Sequence, residues 1–187
     1  MLHVSTDYVF DGTARVHPET EPFSPLGVYV QTKAAGDQLV ATVPRHYILR
    51  TSWVIGDGHN FVRTMASLAE RGVDPSVVDD QFGRLTFTSE LARAIRHLTT
   101  TGAPYGTYNV TGSGPATSWA DIARRVFELT GHDPARVTGV STEAYFASAT
   151  SAVAPRPRNS VLDTQKLEST GFIPRPAEDS LARYLSC

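Results

Sequence analysis

The sequence predicts an α/β fold with a largely parallel sheet. Short apolar runs of strand length alternate with longer stretches of helical periodicity, in the order strand, helix, strand, helix along most of the chain. Tyr47-Ile48-Leu49 is an unbroken apolar run suited to a strand buried on both faces. At 187 residues the chain is long enough for one domain with a real core. Folds of this class bind ligands beyond the carboxyl ends of their strands. Chemistry is therefore sought just after each strand, at Thr6-Asp7-Tyr8, Ser52-Trp53, Asp79-Asp80 and Asn109.

MLHVST opens the chain as a buried strand, followed by a polar, proline-bearing loop from about Thr13 to Pro25. GVYVQTKAAGDQLVATV reads as a helix stopped by Pro44, and HYILRTSWVI as a second β-rich run. In NFVRTMASLAERG, Phe61, Met65, Leu68 and Ala69 share a face, Asn60 can cap the start and Gly72 the end. SVVDD is a short strand, QFGRLTFT a loop, and Thr88 opens a helix with Leu91, Ile95 and Leu98 at helical spacing. GTYNV is a strand. SWADIARRVFELTG is a helix with Ser118 and Asp121 as a capping box and Ile122, Val126 and Leu129 inward. VTGVS is a last short strand, ASATSAVAPRPRNS a Pro/Ala/Ser/Arg-rich stretch, and TQKLESTG and AEDSLARYLS two short helical patterns. No internal repeat or strong linker is visible.

A net charge of −2 provides no global basic field, which argues against a nucleic-acid partner. No apolar run approaches membrane-spanning length, and MLHVSTDYVF lacks the pattern of a secretory signal. The single cysteine, Cys187, supports neither a disulfide framework nor a cysteine zinc site, so a cytoplasmic setting is expected. The six histidines show no metal-ligand spacing, and no metal is expected.

Tyr29 and Lys33 lie four residues apart, hence on one face of the predicted helix. A lysine ammonium beside a phenol favours the phenolate and makes tyrosine a better proton donor near neutral pH. An exposed helix turn accounts equally well for the bare pair. Thr6, at the end of the first strand, could place a hydroxyl beside the phenol, and the two could converge on one carbonyl oxygen.

Six segments extend the pattern: HVSTDYVFDG, EPFSPLGVYVQTKAAGD, ILRTSWVIG, DDQFGRLTFTSELARAI, GTYNVTG and PRPRNSVLD. In this order they resemble the dTDP-4-dehydrorhamnose reductase family, extended short-chain dehydrogenase/reductases that act on nucleotide sugars. The Thr-Asp after the first strand resembles this branch rather than the related epimerases and dehydratases. The resemblance implies the C-terminal part of a Rossmann-like, doubly wound parallel sheet with a small substrate-binding lobe. Residues 1–187 would then form a single truncated reductase domain, because the family's opening strand, Gly-rich turn and helix have no counterpart in them. It further implies that Tyr29 protonates the C4 oxygen of a 4-keto-6-deoxy sugar and that Thr6 hydrogen-bonds that oxygen. Lys33 would hold the nicotinamide ribose, with Asp7 at the sugar and Trp53 packed against it. NADPH or NADH would be the cofactor and a dTDP-sugar the substrate, with a homodimer or an upstream domain as possible partners.

The residues leave other readings open. Trp53 alone suits a buried core position. Arg156 and Arg158, in PRPRNS, suit diphosphate contact or a solvated loop. Asp79 and Asp80 point to opposite faces if they lie in a strand, so a shared role is disfavoured. TGSGPATS lacks the ending of a phosphate loop and reads as a strand-to-helix turn. A non-catalytic nucleotide-sugar-binding or regulatory subunit and a sugar-nucleotide epimerase are the alternative functions.

Overall fold

The computed structural model describes residues 1–150 and 153–186; Ser151, Ala152 and Cys187, on which the cysteine expectation rests, lie outside the described residues. Three strands form the main sheet in the order β1-β2-β7, all parallel: β1 (Leu2–Thr6), β2 (Tyr47–Thr51) and β7 (Gly106–Asn109). Val4 lies opposite Leu49, and Leu49 opposite Tyr108. β2 is central and all five of its residues are buried, as its apolar run predicts.

Helices cover both faces of this sheet. Helix α1 (Val28–Ala41) links β1 to β2 and meets the face that carries Arg50. Helix α3 (Thr88–Thr100) lies on the opposite face, where Ala94 and Leu98 join Tyr47, Leu49 and Tyr108 in one apolar cluster. The Tyr47 hydroxyl, with one proton to donate, lies within hydrogen-bond reach of the carbonyls of Ala103 (2.7 Å) and Leu98 (3.0 Å), which ties the end of α3 to the sheet.

A second core joins the remaining elements. Helix α2 (Phe61–Glu70) is capped by Asn60, whose side chain accepts from the Arg63 amide, and it turns inward Val62, Met65 and Ala69. Helix α4 (Trp119–Leu129) carries the complete Ser118/Asp121 capping box and buries Ile122, Val126 and Phe127, while Leu129 stays partly buried. Both pack with helix α7 (Ala177–Leu185) through Leu181. Strand β4 (Ser76–Val78) pairs in parallel with β9 (Thr138–Val140) at its edge. The short helices α5 (Thr142–Phe146) and α6 (Gln165–Glu168) complete the fold.

Three expectations need correction. β1 is not a buried strand: it is an edge strand, and Leu2 and Val4 are each 39% exposed. QFGRLTFT is not a plain loop. It holds β5 (Phe82–Gly83), antiparallel to β8 (Thr117–Ser118), and β6 (Thr86–Phe87), parallel to β3 (Val54–Ile55). Two-residue strands are too short to show periodicity, and their partners are distant in sequence. Where no element is expected after the last strand, helix α5 begins one residue beyond β9, capped by the Ser141 side chain, which accepts from the Ala144 amide.

One buried ion pair fixes α1 to the sheet. Arg50 Nε donates to Asp37 Oδ2 at 3.0 Å, with both side chains at or below 5% exposure. The guanidinium also donates to the Glu19 carbonyl and lies over the rings of Phe10 and Phe23. Removing one partner of such a pair strands the other charge in a low dielectric. Asp37→Asn is therefore expected to lower the unfolding free energy by about 3 kcal/mol in urea melts. A loss below ~1 kcal/mol would show that the Glu19 carbonyl and the aromatic faces suffice for Arg50.

Candidate active site

The end of β1 sets the first wall of the site. Thr6 caps a short 3-10 turn, Asp7–Val9: its hydroxyl oxygen accepts the Tyr8 amide at 3.2 Å and its proton goes to Asp7 Oδ1 at 3.0 Å. Threonine and aspartate favour this local bonding over continuing a strand. A cleft of about 420 Å³ opens here, lined by Ser5, Thr6, Asp7, Tyr8, Tyr29, Lys33, Trp53, Val54 and Trp119 among others. Five of the seven predicted site residues thus share one cleft.

Tyr29 is the second residue of α1 and is 66% exposed. Lys33, one turn on, lies in the same cleft but its ammonium does not bond the phenol. It donates to the carbonyl of Val4 in β1 at 2.8 Å. The lysine is thereby tethered to the edge strand beside Thr6, with donors left over, since an ammonium has three. Val30, which follows Tyr29, is buried at 6% and anchors the start of the helix.

Asp7 lines the cleft but is almost wholly buried. It is 4% exposed, and its Oδ2 is buried without a hydrogen-bond partner among the described residues. Burial pushes its carboxyl up to about 6, against the Ser160 and Thr6 hydroxyls, which favour the charged form. The Ser160 hydroxyl reaches the neighbourhood of the carboxylate without bonding geometry to Oδ2. Burial and the charge of Asp7 raise the pKa of the neighbouring Tyr8 phenol, and Arg156 works in the opposite direction.

Trp53 is 9% exposed, so it is a core residue that also faces the cleft. Its backbone has φ +47°, in the left-handed region. For a bulky residue that conformation is rare and costs on the order of 1–3 kcal/mol. The indole stacks on Trp119, ring centroids 3.9 Å apart and planes 20° apart, and Phe61 meets Trp119 edge-on at 4.6 Å.

Arg156 and Arg158 do not line the cleft. Both are exposed, and neither guanidinium has a hydrogen-bond or ion-pair partner among the described residues. Their loop is nonetheless fixed. Phe82 N–H donates to the Arg158 carbonyl at 2.8 Å, Ser160 N–H to the Phe82 carbonyl at 2.7 Å, and Pro157 packs against Gly12. Gly12 has φ +77°, and a Cβ there would meet Pro157 at 2.5 Å, so this contact requires glycine.

Other strand-end candidates are structural. Asn109 is fully buried and donates to the carbonyls of His17 and Asp163. Asp80 caps α5 by accepting from the Thr142 amide and hydroxyl. TGSGPATS leads from β7 to α4 but is more than a turn, since its last two residues form β8. Sequence reasoning missed Trp119 and assigned no role to Tyr8. Tyr8 follows Thr6 and Asp7 in the strand-end motif, whereas Trp119 opens a helix and reaches the cleft from a segment distant in sequence.

Fold and cleft define a Rossmann-like α/β protein with a ligand site at the carboxyl ends of its parallel strands. More particularly, the chain belongs to the family described as RmlD substrate binding domain, which it matches over residues 1–187. It is 38% identical over 187 residues to the spore coat polysaccharide biosynthesis protein SpsK of Bacillus subtilis, covering 98% of this chain and 63% of that protein. It is 41% identical over 180 residues to dTDP-4-dehydrorhamnose reductase of Salmonella typhimurium, covering 90% of this chain and 58% of that enzyme. Among solved structures, it superposes on dTDP-4-dehydrorhamnose reductase of Bacillus anthracis, in complex with NADP, with a TM-score of 0.88 and 35% identity, over 99% of this chain and 64% of that one. The chain therefore spans about three fifths of the length of these relatives.

Asp7 generates a pH prediction. Its folded-state pKa, about 6, lies above the ordinary 3.8, so between these values the folded protein binds the extra proton. Its contribution to stability is thus most favourable below about pH 4, falls as pH rises toward 6, and stays low above that. Asp7→Asn is expected to be more stable than the unchanged chain at pH 8, by on the order of 2–3 kcal/mol, with the difference closing by pH 4. Urea unfolding at the two pH values measures this. Equal stability at pH 8 would show that the carboxylate is better solvated than its burial implies.

Proposed function

We propose that this chain is the substrate side of an NAD(P)H-dependent reductase that acts on the C4 keto group of a dTDP-4-keto-6-deoxy sugar. The observation that carries this reading is the convergence of Thr6, Tyr29, Lys33 and Trp53 on one cleft at the strand ends. The relatives named as dTDP-4-dehydrorhamnose reductases support it, as does the relative in complex with NADP.

In this reading Tyr29 gives its phenolic proton to the sugar oxygen as negative charge develops there. Thr6 turns its hydroxyl from Asp7 to the same oxygen. Trp53 packs against the sugar as part of the cleft wall, and Arg156 and Arg158 approach the diphosphate from outside the cleft. A nicotinamide cofactor supplies the hydride when bound. The nicotinamide end fits the donor set present: Lys33 spends one N–H on the Val4 carbonyl and keeps two for ribose hydroxyls. We identify no Gly-rich pyrophosphate turn among the described residues. NADPH is the favoured form, in line with the NADP complex of the relative. Residues 1–187 would act as one reductase domain in a cytoplasmic setting, completed by a further segment or partner that supplies the pyrophosphate site.

Calorimetric titration of dTDP into the chain, followed by NADPH oxidation with a dTDP-4-keto-6-deoxy sugar, tests this. Saturable dTDP binding is expected. Where turnover is measured, Tyr29→Phe should lower it by about a hundredfold or more and leave dTDP affinity within about twofold. Unchanged turnover would remove Tyr29 from the chemistry. Binding without NADPH oxidation would favour a non-catalytic nucleotide-sugar-binding chain, and product without stoichiometric NADPH loss an epimerase.

A further inference from the structure

His17 does not line the cleft, yet it is 1% exposed and joins two segments distant in sequence. It belongs to the polar loop after β1. Its amide donates to the Val161 carbonyl at 2.8 Å, and the Asp163 amide donates to its own carbonyl at 3.0 Å. The imidazole repeats the link from the side chain: Nε2 lies 3.1 Å from the Asn159 carbonyl, and Nδ1 lies 2.8 Å from Glu21 Oε2. Both partners are acceptors, so the two bonds together take a ring with both nitrogens protonated, beside the Glu21 carboxylate. The ring also stacks on Phe10, centroids 5.1 Å and planes 5° apart. The Asn159 side-chain amide returns a bond to the Ala14 carbonyl.

The segment so held carries groups at the edge of the cleft. Ser160, next to Asn159, is buried with its hydroxyl beside the Asp7 carboxylate. Arg156 lies close enough to act by its charge on the phenol of Tyr8, a cleft residue. We propose that His17 is a positioning residue for the diphosphate: its imidazole clasps the loop after β1 to residues 156–160 and so holds Arg156 and Arg158 where an anion at the cleft can meet them. This rests on the sugar-nucleotide reading above and deepens it. An arginine on a free loop loses backbone as well as side-chain freedom when it binds an anion, whereas on a clasped loop the backbone term has already been met. His17 therefore contributes to affinity for a nucleoside diphosphate and not to affinity for the nucleoside.

Calorimetric titrations of dTDP and of thymidine, which has no phosphate, are compared for the unchanged 187-residue chain, His17→Phe, His17→Gln and Glu21→Gln. Amide hydrogen exchange is followed at position 17, Ser160 and Asp163, with Leu49 of the central strand as reference. His17→Phe keeps a ring on Phe10 and removes both side-chain bonds. Exchange at the three amides is expected to rise by about tenfold or more relative to Leu49. Affinity for dTDP should fall by about threefold to tenfold, with thymidine affinity within about twofold. His17→Gln restores a donor toward the Asn159 carbonyl and should recover most of the loss. Glu21→Gln changes only a partly exposed partner of the ring, so the comparison stands even where His17→Phe does not fold; it should show the same selective loss at about twofold to threefold. A merely structural role would weaken dTDP and thymidine alike and speed exchange equally at Leu49, and that result overturns the proposal. So does unaltered dTDP affinity in a folded His17→Phe. If the unchanged chain binds no dTDP, the sugar-nucleotide reading itself fails and this one with it; dTDP binding that is indifferent to His17 sinks this inference alone.

Discussion

The site depends on the ion pair between Arg50 and Asp37. Arg50 stands in the central strand, and Asp37 lies one turn beyond Lys33 and two beyond Tyr29 on α1. Residues spaced by four share a helix face. Locking Asp37 to the sheet therefore fixes the rotation of α1 about its axis, and with it the face that presents Tyr29 and Lys33. The same guanidinium gathers the loop after β1 through the Glu19 carbonyl and the Phe23 ring. A buried ion pair gains little net stability once desolvation is counted. Its value here is geometric, because few apolar contacts would define one rotation of a helix so narrowly.

Unfavourable local terms collect around the cleft. Trp53 adopts a backbone that suits glycine, and Asp7 holds a carboxyl away from water with one oxygen unpartnered. Other elements follow the rules of local structure: Asn60 and the Ser118/Asp121 pair cap their helices, and the buried Tyr47 hydroxyl has two carbonyls within reach. Strain and desolvation persist only where the surrounding structure over-determines them. Around Trp53 that surrounding is specific, with Trp119 and Phe61 on one side and Gly83 on the other.

Lys33 takes its place in this scheme through β1. Its ammonium donates to the Val4 carbonyl at 2.8 Å. A strand carbonyl, and not the tyrosine four residues earlier, holds the lysine near Thr6.

Local sequence by itself determined the elements with enough length to show a period, and the order that makes the sheet parallel. It determined the caps, because Asn60, Ser118 and Asp121 act on amides within three residues of themselves. It also determined that Thr6, Tyr29, Lys33 and Trp53 stand at strand or helix ends where one cleft can collect them. Only the tertiary structure decided that QFGRLTFT forms two strands. It decided too that Lys33 bonds a strand carbonyl, and that Trp119 shares the cleft. Each of these is a contact between segments tens of residues apart, as between Gly83 and Thr117 or Val54 and Thr86. Periodicity and capping report on energies within one turn or one strand. A partner brought in by chain folding leaves no such mark on its neighbours in sequence.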